Sequence, residues 1–552
     1  MVEKRAIFMK KILKYLSLGL LSTFLSANPG LSAERISFFY PPFGEFSLPV
    51  DSLETFAKEG KIDSDLRFYS QRATPEQLTQ LRELLQIRFN VTPTLVSQVT
   101  YSPVGEQLLQ RLGELLLTDS RRNGFYALRA ALILSAASPE GLSVINVLRK
   151  FPSNRVRLNF TEAVKIVDDL SQLLKTRDRV VTALQQQALI QTLQSNFDFS
   201  VLPDLRSPGE FRWQKISWTL NDLSRDRRLP VDLYLPATTA ESPIKQPFPL
   251  VVISHGVASD RYTFAYLAEH LASYGFAVAV LEHPGSNAKR FQQYFAGLAE
   301  PPEPKEFIDR PLDIKFLLDE LQRRETFDPK LKGKLNFEQV GAIGQSFGGY
   351  TVLASAGAKF NFEELRQECQ PDNSNLNVSL ILQCQATQLV LDNYVLQDER
   401  IKAIIAINPV NSAIFGERGI SQIQVPVMLV AGSQDIFAPP VPEQIRPFTW
   451  LTNPNKYLAL IENSTHFTFI GESPAESNVL PVPDGLLGPD RAVAYSYLKA
   501  LSVAFLETNL RDRTEYRVYL QPSYAQYIST SPLNLSLLES LSAEQLNQAM
   551  RK

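Results

Sequence analysis

Apolar residues recur at helical spacing from residue 34 to about residue 205. Thr74-Pro75-Glu76-Gln77 reads as a capping box with proline at the first helical position, and Leu78, Leu81, Leu85 and Phe89 follow on one face. Leu108, Leu112, Leu115 and Leu116 predict a second amphipathic helix. Tyr126 to Ala137 is almost wholly apolar and predicts a buried third. Ser138-Pro139 is expected to cap a fourth helix running to Lys150, and a long helix is expected from Glu162 to about Gln194. From about Gly209 the period changes. Phe211 to Leu220 and Leu229 to Leu235 alternate as the two strands of a hairpin. Apolar runs then alternate with amphipathic helices. Strands are predicted at Phe248–Ser254, Phe276–Leu281, Val340–Ile343, Ile401–Ile407, Val427–Ala431 and Tyr457–Ile461, and helices at Tyr262–Tyr274, Asp309–Arg323 and Ala492–Glu507. Continuous apolar strands between helices predict an α/β fold, a mostly parallel sheet covered on both faces, preceded by an all-α domain.

The expected organisation is an N-terminal targeting segment over 1–33, a helical domain over 34–205, an α/β domain over 206–510 and a tail over 511–552. Insertions over 285–306 and 360–400 interrupt the α/β rhythm, either as a lid or acyl pocket or as plain surface loops. The tail is expected to end in an amphipathic helix over Leu537–Met550.

Lys10, Lys11 and Lys14 precede an uncharged run from Tyr15 to Ala27, and Leu31-Ser32-Ala33 offers small residues for cleavage before Glu34. This predicts export, with an uncleaved membrane anchor as the alternative. The formal net charge of -2 provides no basic surplus for nucleic acid. The two cysteines, Cys369 and Cys384, are expected to form one disulfide in an exported chain, two buried thiols being the alternative. The four histidines, His255, His270, His283 and His466, show no metal-ligand spacing, so neither metal nor cofactor is expected.

One stretch carries chemistry. Val340 to Tyr350 reads as a buried strand, a sharp turn and a helix start, with Ser346 at the apex of Gly344-Gln345-Ser346-Phe347-Gly348. Gly344 and Gly348 are needed because a side chain at either would clash across so tight a turn. This is the nucleophile elbow of α/β hydrolases, in which the acid and then the histidine follow the serine in the chain. Asp435, past the strand Val427–Ala431, and His466, past the strand Tyr457–Ile461, fit that order. Strand ends in a parallel sheet gather at one edge. Ser346 is therefore the candidate nucleophile, His466 the general base and Asp435 its orienter. Gly256 allows a close backbone approach, and the Val257 and Phe347 N–H groups are candidate oxyanion donors. His255 is expected to brace that loop, Glu282 to Ser286 to form a pocket wall, and His270 to be structural.

Ser254-His255-Gly256, Ala272-Ser273-Tyr274-Gly275-Phe276, Glu282-His283, Arg310-Pro311-Leu312-Asp313 and Gly344 to Gly349 resemble the platelet-activating-factor acetylhydrolase branch of α/β hydrolases, over roughly 210–508. The resemblance implies hydrolysis of short acyl esters of phospholipids by an elbow serine, with two backbone donors that carry over to Val257 and Phe347. Animal members keep the acid after the strand that here ends at Asn408, so their acid does not carry over and Asp435 stands in its place. Dienelactone hydrolases are similar in fold but use a cysteine nucleophile, against which Ser346 argues. Phe46-Ser47-Leu48-Pro49-Val50 through Lys61-Ile62, with Ala127-Leu128-Arg129-Ala130-Ala131, resembles a helical domain of unknown function found ahead of such hydrolases in cyanobacteria. The expectation is an exported serine carboxylic-ester hydrolase for a lipid or small ester, with the leucines of the helical domain either in its core or facing a membrane surface. A peptidase or acyltransferase on the same triad is the alternative, and a non-catalytic binding protein on the same fold a further one.

Overall fold

The computed structural model describes residues 32–551 except 41, 194–196, 238–245, 371–375, 392, 475–476, 478 and 480–481. The expected targeting segment lies almost wholly outside the described residues. Its last two positions are described: Ser32 Oγ donates to the Arg149 carbonyl, and Ala33 is buried. The chain divides into two compact units. One comprises residues up to Asp168 with Phe295–Gly297, and the other runs from Asp169 to Tyr294 and from Leu298 onward. The division falls inside the long helix Phe160–Thr192, not near residue 205.

The N-terminal unit is mainly helical but not all-α. Strands β1 (Arg35–Tyr40), β2 (Gly44–Pro49), β3 (Leu116–Leu117) and β4 (Arg155–Leu158) form a four-stranded sheet in the order β2-β1-β4-β3. The strictly helical expectation is corrected by these short strands: β1 and β2 pair as consecutive antiparallel strands, while β4 joins β1 and β3 from far away in the chain. The capping box is present. Thr74 Oγ1 accepts from the Gln77 N–H at 3.2 Å, and Gln77 Oε1 accepts from the Thr74 N–H at 2.9 Å. It opens the helix Pro75–Gln86. Ser138-Pro139 does not start a helix. The chain turns at Gly141 (φ 72°), and Ser143 caps a shorter helix, Val144–Lys150. Val50, Leu53, Phe56, Leu66, Leu85, Leu128 and Val156 share this unit's core.

Among the described residues the second unit holds nine further strands. They are β5 (Trp213–Asp222), β6 (Arg227–Pro236), β7 (Phe248–Ser254), β8 (Ala277–Leu281), β9 (Leu335–Gln345), β10 (Ile401–Ile407), β11 (Val427–Gly432), β12 (Lys456–Ile461) and β13 (Leu535–Leu538). Their order is β13-β12-β11-β10-β9-β7-β8-β6-β5. Strands β7 to β12 pair in parallel, while the β5–β6 hairpin and β13 are antiparallel additions. Every residue of β7 and β11 is buried, since one core cluster covers each face of the sheet. The strand order reverses at β7, which lies between β8 and β9. Ligands of open α/β sheets bind outside the carboxyl ends of strands at such a reversal.

The tail departs from its expected single helix. Leu535–Leu538 pair with β12 and cover its edge, so the terminal helix starts later than expected, at Ala543–Arg551, and a further short helix spans Pro522–Ile528. In the 360–400 insertion, Cys369 and Cys384 form a disulfide with a Cα–Cα distance of 5.6 Å. The fully buried Glu443 fastens that insertion. Its Oε1 accepts from Asn377 Nδ2 (2.6 Å), Ser379 Oγ (2.7 Å) and Gln383 Nε2 (3.1 Å), and its Oε2 from the Asn411 and Ser412 N–H groups.

Candidate active site

Strand β9 runs directly into the helix Phe347–Ser355, and Ser346 makes the turn between them at φ 57°, ψ -117°. That region is costly for any residue with a Cβ and persists only where the surroundings impose it. They do so here by crowding. A Cβ on Gly344 would stand 2.0 Å from the Gly348 carbonyl oxygen, and one on Gly348 would stand 2.0 Å from the Ser254 carbonyl oxygen. The Ser346 N–H donates to the Ile407 carbonyl at 2.9 Å, and the Ser346 carbonyl accepts from the Tyr350 N–H at 3.0 Å. Ser346 Oγ has no hydrogen-bond partner among the described residues and is not sealed from solvent.

Asp435 and His466 come together at the same sheet edge. Asp435 follows β11 and His466 follows β12, neighbours in register. His466 Nδ1 lies 2.7 Å from Asp435 Oδ2, so Nδ1 carries the proton and donates to the carboxylate. Asp435 Oδ1 accepts from the Phe437 and Ala438 N–H groups, each at 2.8 Å, which fixes the carboxylate in its own loop. The His466 carbonyl accepts from Gln345 Nε2 at 3.1 Å, tying the histidine loop to the residue before Ser346. No hydrogen bond joins Ser346 Oγ to His466 Nε2 among the described residues. Such contacts often tighten only when substrate is bound. Phe437 and Phe467 flank the imidazole, with ring centroids 5.6 and 5.2 Å away.

Asn408, at the end of β10, also serves this edge. Its Oδ1 accepts from the Gly432 N–H at 2.9 Å, and its Nδ2 donates to the Thr465 carbonyl at 3.3 Å. It thus joins the loops of Asp435 and His466 as a neutral amide.

Past β7, the chain turns beside the serine. A Cβ on Gly256 would lie 2.5 Å from Gln345 Oε1 and 3.4 Å from Ser346 Cβ. The N–H groups of Val257 and Phe347 have no acceptor among the described residues. Phe347 is the first residue of its helix, where an N–H lacks an intrahelical partner and the dipole is positive. Asp260, further along the same loop, accepts from Ser473 Oγ (3.0 Å) and Ser477 Oγ (2.5 Å), which anchors the segment that follows His466.

His270 donates to the Leu205 carbonyl at 3.0 Å and is structural; burial pushes its pKa down to about 4. His283 is no pocket wall. It is fully buried, with Nδ1 2.9 Å from Asp313 Oδ2 and Nε2 2.9 Å from Ser254 Oγ. Asp313 takes a bidentate grip from Arg227, at 2.8 and 2.6 Å, and the fully buried Arg310 donates to Thr351 Oγ1 (3.0 Å), Ser286 Oγ (2.8 Å) and the His255 carbonyl. Burial brings Arg310 down to about 9 despite Glu306 and Asp313 nearby. Sequence reasoning missed this network. Glu282-His283 and Arg310-Pro311-Leu312-Asp313 stood out in the sequence only as segments resembling a family, and nothing local showed that their side chains meet.

Comparison with known proteins bears on both units. A family described as α/β hydrolase of unknown function (DUF1400) matches residues 32–159, all within the N-terminal unit. A family described as platelet-activating factor acetylhydrolase, isoform II, matches residues 222–311, which include Ser254 to Val257 and Arg310. Platelet-activating factor acetylhydrolase of Cavia porcellus is 31% identical over 148 residues, covering 20% of this chain and 33% of that protein. The chain therefore spans about a third of that relative's length. The nine-stranded, mostly parallel sheet with its elbow is an α/β-hydrolase fold, and over the matched segments the chain is similar to the platelet-activating factor acetylhydrolases.

Proposed function

We propose that the protein is a serine carboxylic-ester hydrolase whose substrate is a lipid ester or another small ester. The observation that carries this reading is the Asp435–His466 hydrogen bond at the sheet edge to which the elbow delivers Ser346. With Nδ1–H given to Asp435, the Nε2 of His466 keeps its lone pair for the serine proton. Ser346 Oγ then adds to the ester carbonyl. The tetrahedral oxyanion is met by the Val257 and Phe347 N–H groups, which have no other acceptor among the described residues. The imidazolium returns its proton to the departing alcohol, and the same base activates the water that releases the acid. Phe437 and Phe467 give the site an apolar wall beside His466, which suits an alkyl or acyl chain. The similarity to a platelet-activating factor acetylhydrolase supports a lipid ester as the substrate class. Export through the segment over 1–33 belongs to the same proposal, supported by its basic start and uncharged core.

The test is hydrolysis of p-nitrophenyl esters from acetate to palmitate by the wild type and Ser346→Ala. The expected result is turnover that falls by about 10⁴-fold or more in the variant. Equal turnover in both, or none by the folded wild type on any ester, would overturn the proposal.

A further inference from the structure

Gly256 presents the site with a difficulty. A Cβ there would press on the Gln345 amide, whose Nε2 holds the His466 carbonyl, and glycine leaves that amide in place. Glycine, however, leaves its backbone free to rotate. The peptide unit that follows it carries the Val257 N–H. Cis bonds occur among the described residues only at Ser531–Pro532, so the Gly256–Val257 bond is trans. In a trans peptide the carbonyl and the N–H point in opposite directions. Whatever holds the Gly256 carbonyl therefore aims the Val257 N–H.

That carbonyl is held by His255. His255 Nδ1 lies 2.6 Å from the Gly256 oxygen, and because a carbonyl only accepts, Nδ1–H donates. The other ring nitrogen, Nε2, accepts from the His283 N–H at 3.0 Å. Both contacts require the same neutral tautomer, and His255 is fully buried. Burial, with Arg310 and His283 close by, keeps its pKa well below the ordinary imidazole range. Beneath it, Arg310 donates to the His255 carbonyl, and His283 is fixed by Asp313 on one side and Ser254 on the other. Arg227 and Arg225 hold Asp313 in turn. The next residue of the loop is pinned as well, since the Ala258 N–H donates to the Ser286 carbonyl at 3.0 Å and Ser286 Oγ accepts from Arg310.

We infer that His255 is a positioning residue that sets the Gly256–Val257 peptide so that the Val257 N–H faces the carbonyl attacked by Ser346, and that Arg310 and the Asp313–His283 pair keep it there. This rests on the reading of Val257 as an oxyanion donor. These hydrogen bonds run from the helix Glu306–Phe327 to the Gly256–Val257 peptide.

The experiment combines kinetics and crystal structures of His255→Ala, His255→Asn and His255→Gln. The Asn amide can reach the Gly256 carbonyl from the Nδ1 position, whereas the longer Gln amide cannot. His255→Ala is expected to lose about 10- to 100-fold in kcat with KM within about twofold, somewhat less than the complete loss of one oxyanion donor. Inhibition by a trifluoromethyl ketone, which acquires an oxyanion only after serine addition, should weaken by the same factor. His255→Asn should recover most of both, and His255→Gln should not. The crystal structure of His255→Ala should show the Gly256–Val257 peptide rotated. An unrotated peptide, or kcat and ketone affinity equal to wild type, would overturn the inference. If His255→Ala does not fold, the Asn–Gln comparison decides it, and equal rates in those two would overturn it. A wild type without Ser346-dependent turnover would instead overturn the proposed function, while the crystal comparison still reports whether His255 sets the peptide.

Discussion

A single carboxylate performs two tasks at Asp435. Oδ1 organises its own loop through two backbone N–H groups, and Oδ2 holds the His466 ring. Asp435→Asn keeps an amide oxygen for the loop but offers no charge to the imidazolium and favours the wrong tautomer. It is expected to fold normally and to lose about 10⁴-fold in kcat, read from ester turnover beside an unchanged melting curve. Chain order alone pointed to this aspartate and this histidine, because a parallel sheet brings consecutive strand ends to one edge. Chain order could not reveal His283 or Arg310. Their partners, Ser254, Asp313 and Thr351, are scattered through the sequence, and a buried polar chain leaves no period to read.

The elbow depends on the absence of two side chains. A Cβ at Gly344 or Gly348 would overlap backbone oxygens that cannot move aside. Gly348→Ala is therefore expected to cost about 3 kcal/mol or more, measured by urea unfolding, or to prevent folding altogether. The disulfide acts on the 360–400 insertion instead. Cys369 and Cys384 are separated by 15 in sequence, and closing a loop of that length stabilises by about 3 kcal/mol in the chain-entropy account. Cys369→Ser with Cys384→Ser should lower the melting temperature yet leave kcat on a short ester within about threefold, because Glu443 still anchors the insertion. The long helices were legible in the sequence from their period, and the parallel strands from their unbroken apolar runs. The small sheet of the N-terminal unit, the turn at Gly141 and strand β13 were not. Each is short; β4 and β13 are decided by partners distant in the chain, and the turn at Gly141 by the Ser135 and Asn146 side chains that donate to its carbonyl.

On the scale of the whole molecule, three buried histidines link stability to pH. Burial holds His255, His270 and His283 below the ordinary value of 6.5, His270 at about 4. The unfolded chain takes up these protons as the pH falls through about 6.5, while the native chain resists until the pH is much lower. Stability from these groups is therefore complete above about pH 6.5 and declines from there toward pH 4. Urea midpoints should fall across that window, and His270→Gln, which can still donate to the Leu205 carbonyl, should flatten part of the decline. The topology has a second consequence, for biosynthesis. Strand β12 is apolar and buried from Leu458 to Ile461, and its outer edge pairs with β13, which the ribosome makes only after a further stretch containing the helix Arg491–Leu510. Until residues 535–538 emerge, the growing chain carries an open strand edge able to template pairing with a neighbour. Polypeptides stopped before Leu535 should accumulate as aggregates even though Ser346, Asp435 and His466 are all present, so translation of the final segment becomes a race between sheet closure and self-association.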